Sequence, residues 1–420
     1  MTITQPDLSV FTTLESEVRS YCRSWPTVFA RAQGSRIHDE DGHEYLDFFA
    51  GAGSLNYGHN NPVLKRALLD YLEHDGITHA LDMSTTAKRT FLEFFQHTIL
   101  RPRDLPYKVM FPGPTGTNAV EAALKLARKV KGRETVVSFT NAFHGMSLGA
   151  LAVTGNAFKR AGAGVPLVHT TRMPFDHYMD DGTSDFRWFE QQLADRGSGL
   201  DQPAAVIVET IQGEGGVNVA RPQWLRTLAT LCQEHDMLLI VDDIQMGCGR
   251  TGSFFSFEEA GITPDIVTVS KSISGYGLPM SLCLFRPELD IWEPGEHNGT
   301  FRGNNPAFVT AAAAINAYWT DDELKQQILA HAQTIEAALR DTVAHHSGSG
   351  YRGRGMIWGL ELSDPRHAGR AARRAFEFGL LVETSGAQGE VLKLLPPLTI
   401  TADELDHGLR IMQRAVHETT

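Results

Sequence analysis

The chain has 420 residues, of which 42% are hydrophobic and 21% charged, a composition typical of a folded protein with a sizeable core. Disordered and fibrous proteins are therefore excluded. Its 38 Lys and Arg against 50 Asp and Glu give a formal net charge of −12, so no overall basic field favours nucleic acid or an anionic membrane surface as a partner.

The amino terminus and the cysteines indicate the compartment. The first residues contain neither a basic nor an apolar stretch of the kind that begins a signal peptide, and no apolar run approaches the ~20 residues of a membrane-spanning helix. The four cysteines form no C-x-x-C pair and have no metal-ligand spacing. We expect a reduced, cytoplasmic protein without a metal site.

Predicted elements begin with a hairpin and continue as alternating strands and helices. Residues 35–48 alternate around a Glu-Asp-Gly turn, which predicts two antiparallel strands. Apolar helical stripes at 119–131 and 224–235 separate short apolar runs, which indicates parallel strands buried on both faces. The five clearest of these strands are 136–139, 205–209, 238–242, 266–270 and 281–285.

The carboxyl-terminal part has a different pattern, which predicts a second and smaller α/β domain. From about residue 318 we predict a helix, followed by strands at 356–362, 380–383 and 391–395 and helices at 367–378 and 402–417. The predicted fold class is therefore α/β, with a mainly parallel sheet in the large domain. We predict an amino-terminal segment that packs with the small domain (1–62), a large domain (63–317) and the small domain (318–420).

A loop of small residues at 113–118 precedes the helix predicted at 119–131. Backbone N–H groups at the start of a helix can bind an anion, because they are unpaired and the helix dipole favours negative charge. An ordinary N-cap by Thr115 or Thr117 is an equally good explanation of this loop alone. The loop is not a Walker motif, since it lacks the Gly-Lys-Ser/Thr ending.

Two charged residues follow buried strands directly. Asp242 ends the strand at 238–242, and because an unpaired buried charge is very costly, it requires either Arg250 or a protonated ligand nitrogen as its partner. Lys271 follows the strand at 266–270 and precedes a Ser/Gly-rich loop. A lysine amine in such a position is a candidate nucleophile whose pKa desolvation lowers.

A later loop, at 299–306, carries Thr300 and Arg302 as candidate anion-binding residues, or else simply caps the next helix. The helix-start loop, Asp242 and Lys271 together form the set of protein groups that pyridoxal phosphate chemistry requires. These groups are a lysine that forms a Schiff base and an acidic partner for the pyridinium nitrogen.

At these residues the sequence closely resembles the class III, or subgroup II, aminotransferases of the fold-type I pyridoxal phosphate superfamily. The resemblance covers nearly the whole chain, and its motifs occur in the order of that family. They are 41–48 (DGHEYLDF), 56–59 (NYGH), 115–128, 143–145 (FHG), 209–216 (ETIQGEGG), 242–252 (DDIQMGCGRTG) and 270–271 (SK).

The resemblance implies a role for each cofactor residue. Lys271 would hold the cofactor and carry the proton during transfer, and Asp242 would keep the pyridine nitrogen protonated. Phe143 would stack on the ring, Gln245 would contact its phenolic oxygen, and His144 and Glu209 are further cofactor-binding candidates. Gly116 and Thr117 of one subunit and Thr300 of its neighbour would hold the phosphate, so the smallest active unit would be a homodimer.

Within this family, the sequence most resembles the diaminobutyrate:2-oxoglutarate aminotransferases of ectoine biosynthesis. The resemblance lies in four segments, 14–23, 242–250, 270–280 and 294–305. The implied reaction moves the amino group of L-glutamate to L-aspartate 4-semialdehyde. One position departs from the related ω-aminotransferases, since Lys393 stands where an arginine binds the glutamate carboxylate and pairs with the glutamate of the Gln-Gly-Glu motif. Either Lys393 and Glu214 keep this switch, or carboxylate binding has moved to Arg302.

Alternatives from the same and other classes remain at this point. A diaminobutyrate aminotransferase of a siderophore or polyamine route, or another ω-amino acid aminotransferase, would share most of these motifs. An aminomutase would share the lysine, the aspartate and the phosphate loop but would need no amino acceptor. A non-enzymatic binding protein would use the phosphate loop alone and predicts no role for Lys271.

Overall fold

The computed structural model describes residues 7–179 and 185–420. Its strands are β1 (Phe29–Gln33), β2 (Arg36–Asp39), β3 (Glu44–Asp47), β4 (Lys108–Met110), β5 (Val136–Phe139), β6 (Thr170–Met173), β7 (Ala205–Val208), β8 (Ile211–Gln212), β9 (Asn218–Val219), β10 (Leu238–Asp242), β11 (Ile266–Val269), β12 (Leu282–Phe285), β13 (Gly350–Arg354), β14 (Ile357–Glu361), β15 (Leu380–Leu381), β16 (Glu383–Ser385) and β17 (Val391–Leu394).

The helices of residues 7–179 and 185–420 vary in length from single turns to the long helix that begins the carboxyl-terminal part. They are α1 (Ser9–Leu14), α2 (Tyr21–Ser24), α3 (Ala50–Gly53), α4 (Pro62–Glu73), α5 (Thr86–Phe94), α6 (Gly116–Lys131), α7 (Leu148–Val153), α8 (Ala157–Arg160), α9 (Arg187–Ala194), α10 (Pro222–Glu234), α11 (Asn305–Tyr318), α12 (Glu323–His345), α13 (Pro365–Glu377) and α14 (Ala402–His417). No helix within the described part of the chain is long and apolar enough to cross a membrane.

The central sheet has seven strands in the order β4-β12-β11-β10-β7-β5-β6. Only β12 runs against its neighbours β11 and β4, so the predicted mainly parallel sheet is confirmed. Alternate residues along a strand pack in two different hydrophobic clusters. Val206 packs in the cluster that includes Leu228 of α10, whereas Ile207 packs in the cluster that includes Leu124 of α6. Helices thus cover both faces, and this is why the strand sequences are continuously apolar.

A second sheet, of order β1-β2-β3-β15, joins three strands of the amino-terminal segment to one strand of the carboxyl-terminal part. The predicted hairpin is present as β2 and β3, and Gly42 at its turn has a φ of +86°, a left-handed conformation that favours glycine. β15 pairs in parallel with β3, placing Leu380 beside Leu46. The amino-terminal segment therefore contacts the carboxyl-terminal part, while the division at residues 62 and 317 stays a prediction.

A third sheet, of order β13-β14-β17-β16, completes the carboxyl-terminal part. The single strand predicted at 380–383 is wrong, because the chain passes from one sheet to another at Val382. β15 belongs to the second sheet, beside β3, and β16 belongs to the third sheet, beside β17. β13 was not predicted, since its sequence Gly-Tyr-Arg-Gly-Arg is polar and every one of its residues is only half-buried.

Candidate active site

Two adjacent cavities meet at Lys271. The inner cavity, of about 190 Å³, is lined by twelve residues: Gly116, Thr117, Phe143, His144, Gly145, Glu209, Glu214, Asp242, Ile244, Gln245, Met246 and Lys271. The outer cavity, of about 700 Å³, shares Phe143, Glu214 and Lys271 with it and extends towards Tyr21, Trp25 and the third sheet. The structure thus brings nine of the twelve predicted site residues to one cavity and leaves out Thr300, Arg302 and Lys393.

Lys271 directly follows Ser270 at the end of β11 and has a φ of +51°. A left-handed conformation at a residue other than glycine is strained, and such residues concentrate at functional sites. Its Nζ donates a hydrogen bond of 2.9 Å to the carbonyl of Ala52, in the amino-terminal segment. Burial lowers the pKa of this amine below its ordinary value, which favours the neutral, nucleophilic form.

Asp242 is the buried carboxylate of the inner cavity. Its Oδ2 lies 2.7 Å from Nδ1 of His144, and its Oδ1 accepts hydrogen bonds from Thr268 Oγ1 and the Ile244 N–H, each of 3.2 Å. The other ring nitrogen of His144, Nε2, is buried without a hydrogen-bond partner among the described residues. Within those residues no lysine or arginine forms an ion pair with Asp242, so the carboxylate can still balance a protonated nitrogen of a ligand.

The alternative in which Arg250 neutralises Asp242 is wrong. Arg250 is fully buried, and its guanidinium instead donates to Asn56 Oδ1 at 2.6 Å and to the carbonyls of Met356 and Pro396 at 2.9 and 2.6 Å. Burial lowers its pKa to about 9. Arg250 therefore joins the amino-terminal segment to the carboxyl-terminal part beneath the site.

The loop before α6 is both an N-cap and a candidate anion site. Thr115 is the N-cap, and its N–H and Oγ1 both bond to Oδ1 of Asn118, at 3.1 and 2.8 Å. This leaves Gly116 and Thr117 as the first helical residues, and both line the inner cavity. Their position places unpaired N–H groups of the first turn at the cavity, which is the arrangement that binds phosphate.

Phe143 and Glu209 form another part of the inner wall. Glu209 is buried, and its Oε2 accepts a hydrogen bond of 3.1 Å from the backbone N–H of Phe143. Burial, followed by the nearby charge of Asp242, raises the pKa of Glu209 well above its ordinary value. A neutral carboxyl at this position can donate a hydrogen bond to a ligand as well as accept one.

Lys393 does not line either cavity, because it lies beneath their shared wall. Its side chain is fully buried, and Nζ is 2.6 Å from Oε1 of Glu214 and 2.9 Å from Oε1 of Glu383. Burial opposes the charged forms of both Glu214 and Lys393, but their attraction outweighs it, so the pKa of Glu214 falls to about 2 and that of Lys393 rises. Gln245 Nε2 also donates to Glu214 Oε1, at 3.1 Å, and to the Ala52 carbonyl, at 2.9 Å.

Glu383 is the residue of this group that the sequence analysis missed. The strand prediction ended at this position but gave its carboxylate no partner. A signal was available, because Glu383 is a lone acidic residue directly after the apolar run Leu380 to Val382. Such a residue requires a buried cation, and Lys393 is its register partner in the neighbouring strand β17.

Thr300 and Arg302 lie away from both cavities of this chain. Arg302 donates a hydrogen bond of 2.8 Å to Asn298 Oδ1 and is 4.0 Å from Asp82, while Thr300 is exposed. The contribution of Thr300 to a neighbouring subunit's phosphate site stays a prediction, as does carboxylate binding by Arg302.

The inner cavity therefore combines a buried lysine amine of lowered pKa, helix-start N–H groups and a buried carboxylate that no lysine or arginine of the described residues neutralises. Residues 20–416 match the sequence profile of the family described as Aminotransferase class-III. The chain belongs to the class III aminotransferases. The cofactor of this aminotransferase is pyridoxal 5'-phosphate, and the cavity fits it: Gly116 and Thr117 suit its phosphate, Asp242 its ring nitrogen and Lys271 its carbonyl.

Relatives of the aminotransferase match it along its full length. It is 76% identical to a diaminobutyrate–2-oxoglutarate transaminase of Streptomyces avermitilis, with both chains covered completely. Among solved structures, ornithine aminotransferase of Toxoplasma gondii is 28% identical with a TM-score of 0.82, over 94% of this chain and 90% of the other. An amine transaminase from an uncultivated Pseudomonas species, in its PLP-bound form, is 25% identical with a TM-score of 0.84, over 97% of this chain and 98% of the other.

Proposed function

We propose that this aminotransferase moves the amino group of L-glutamate to C4 of L-aspartate 4-semialdehyde, giving 2-oxoglutarate and L-2,4-diaminobutyrate. The observation that carries the proposal is the 76% identity, over complete chains, to a diaminobutyrate–2-oxoglutarate transaminase. The motifs at 242–250, 270–280 and 294–305 further support the first step of ectoine biosynthesis as its place. We also propose a cytoplasmic homodimer.

The residues of the inner cavity have distinct tasks in this reaction. When bound, pyridoxal phosphate supplies the carbonyl that receives the amino group and the ring that accommodates the electron pair of the substrate carbon. Nζ of Lys271 would take the proton from the reacting carbon of glutamate and pass it to the carbonyl carbon of the cofactor. In the second half-reaction it would move a proton in the opposite direction, to the reacting carbon of the second substrate. Asp242 holds a proton at the ring nitrogen, and His144 fixes the orientation of Asp242 through the bond of 2.7 Å.

The outer cavity suits both substrates of the proposed reaction. In L-glutamate and in L-2,4-diaminobutyrate a carboxylate lies the same number of bonds beyond the reacting carbon, so one cationic position serves both. Arg373 of α13 and Lys159 of α8 line this cavity, are exposed, and form no ion pair within residues 7–179 and 185–420. Arg23, also at this cavity, is already paired with Glu17. We assign carboxylate binding to Arg373 and Lys159.

A panel of carbonyl acceptors tests the proposal, with L-glutamate as donor and product identification by mass spectrometry. We expect L-aspartate 4-semialdehyde to have the highest kcat/KM and to yield L-2,4-diaminobutyrate. A preference for the aldehydes derived from ornithine or 4-aminobutyrate would contradict this specificity while leaving the family unchanged. Formation of product without any amino acceptor or donor would instead favour an aminomutase.

A further inference from the structure

The wall of the outer cavity contains one more carboxylate than the buried lysine behind it can balance. Lys393 Nζ contacts Glu214 at 2.6 Å and Glu383 at 2.9 Å, so the group of three carries one net negative charge. The next cation is Lys271, which also attracts Glu214, but its Nζ donates to the Ala52 carbonyl at 2.9 Å and does not form an ion pair with this group among the described residues. A buried net charge is costly, and a site that retains one requires a ligand of opposite charge.

Glu383 is the more buried of the two carboxylates, with a side chain 5% exposed against 31% for Glu214. Glu214 accepts well-aligned hydrogen bonds from both Lys393 and Gln245. By contrast, Oε1 of Glu383 faces Lys393 Nζ at 2.9 Å without a well-aligned hydrogen bond among the described residues. Burial raises the pKa of this carboxyl, because the attraction of Lys393 does not fully offset the loss of solvation. Glu383 lines the outer cavity and can therefore contact a substrate there.

The substrates of the proposed reaction differ in one group that such a site can distinguish. L-Aspartate 4-semialdehyde and L-2,4-diaminobutyrate carry an α-ammonium group beyond the reacting carbon, and L-glutamate has no second ammonium group. 4-Aminobutyrate differs from 2,4-diaminobutyrate only in lacking this α-amino group. A buried wall of net negative charge attracts an ammonium group and repels a second carboxylate, so it favours the diamino acid.

We propose that Glu383 binds the α-ammonium group of L-aspartate 4-semialdehyde and L-2,4-diaminobutyrate, and thereby selects them over analogues without this group. The inference rests on the proposed function and assigns the specificity of that reaction to one carboxylate. The ammonium group donates to the carboxylate of Glu383 from the cavity side, while Lys393 stays between Glu383 and Glu214. The carboxylate of the same substrate then lies towards Arg373 and Lys159, which line the same cavity.

Glu383→Gln tests the assignment, because it removes the charge and keeps the shape. The measurement is kcat/KM of the holoenzyme for 2,4-diaminobutyrate and for 4-aminobutyrate, with 2-oxoglutarate as acceptor. We expect the ratio of the two values to fall about 10- to 100-fold, the range of a hydrogen bond to a charged group. Glu390→Gln, which removes a carboxylate outside both cavities, is the control and should leave the ratio unchanged.

The outcomes separate this inference from the proposed function. A wild-type enzyme that uses 4-aminobutyrate as well as 2,4-diaminobutyrate contradicts the proposed function itself. A wild-type preference that Glu383→Gln leaves intact, or equal losses with both substrates, contradicts the role of Glu383 alone. If the glutamine variant does not fold, Glu383→Asp withdraws the charge by one methylene group and should lower the ratio severalfold, and an unchanged ratio then overturns the assignment.

Discussion

Replacement of Lys393 by methionine perturbs the buried charges most directly. Burial opposes ionisation of Glu214, yet Lys393 and then Lys271 outweigh it and lower its pKa from 4.5 to about 2, a difference of about 3 kcal/mol at neutral pH. Because Glu383 loses the same partner, we expect Lys393→Met to cost about 3–5 kcal/mol, the range for breaking a buried ion pair. With an unfolding entropy of about 0.9 kcal/mol/K for a chain of this length, Tm should fall by about 3–6 °C.

The pH dependence of this loss tests the reasoning further. In the wild type the pKa of Glu214 is lowered. The stability that its ionised form contributes is therefore complete above about pH 4.5 and is lost as the pH falls towards about 2. In Lys393→Met the buried Glu383 and the partly exposed Glu214 lose their shared cation, so the pKa values of both carboxyls rise and protonation relieves the cost. The difference in Tm between the two proteins should therefore shrink as the pH is lowered from neutral.

Differential scanning calorimetry of the holoenzymes measures both effects. The control is Lys325→Met, which removes an exposed lysine that has no ion pair among the described residues, and which should change Tm by less than about 1 °C. An unchanged Tm in Lys393→Met, or a loss of equal size at every pH, would refute the account of this buried group.

Two further substitutions test the inner and outer cavities separately. Asp242→Asn keeps the shape of the side chain but loses the charge that holds a proton at the ring nitrogen, so stopped-flow rates of the glutamate half-reaction should fall at least about 100-fold; near-normal rates would contradict this role. Arg373→Met removes an exposed cation of the outer cavity, so KM for both glutamate and 2,4-diaminobutyrate should rise about 10-fold with little change in kcat. A change confined to one substrate would show that the two carboxylates bind at different positions.

Much of the central sheet could be predicted because its strands are buried on both faces. Such strands are short apolar runs bounded by charges, and the predicted segments agree with β5, β7, β10, β11 and β12 to within a residue or two. Helix α14 agrees completely with the prediction at 402–417, since Thr401 and Glu404 form a capping box at its start. The local sequence is sufficient to predict an element where the pattern of apolar residues and the capping residues indicate the same bounds.

The errors concern contacts between distant parts of the chain. Arg250 and Asp242 are close in sequence, but Arg250 turns to Asn56 and Pro396, which only the folded chain brings near. The edge strand β13 is polar and gives no periodic signal. Glu383 was missed because its partner is Lys393, in another strand, and single-sequence patterns do not show which strands pair.

Transfer of a labelled amino group tests the proposed function most directly. The enzyme is given L-glutamate that carries a heavy nitrogen isotope, together with unlabelled L-aspartate 4-semialdehyde, and the product is analysed by mass spectrometry and nitrogen NMR. We predict L-2,4-diaminobutyrate with the heavy isotope at the C4 amino group and none at the α-amino group, and no labelled product with Lys271→Ala. Label at the α position, an unlabelled product, or undiminished transfer by Lys271→Ala would contradict the account.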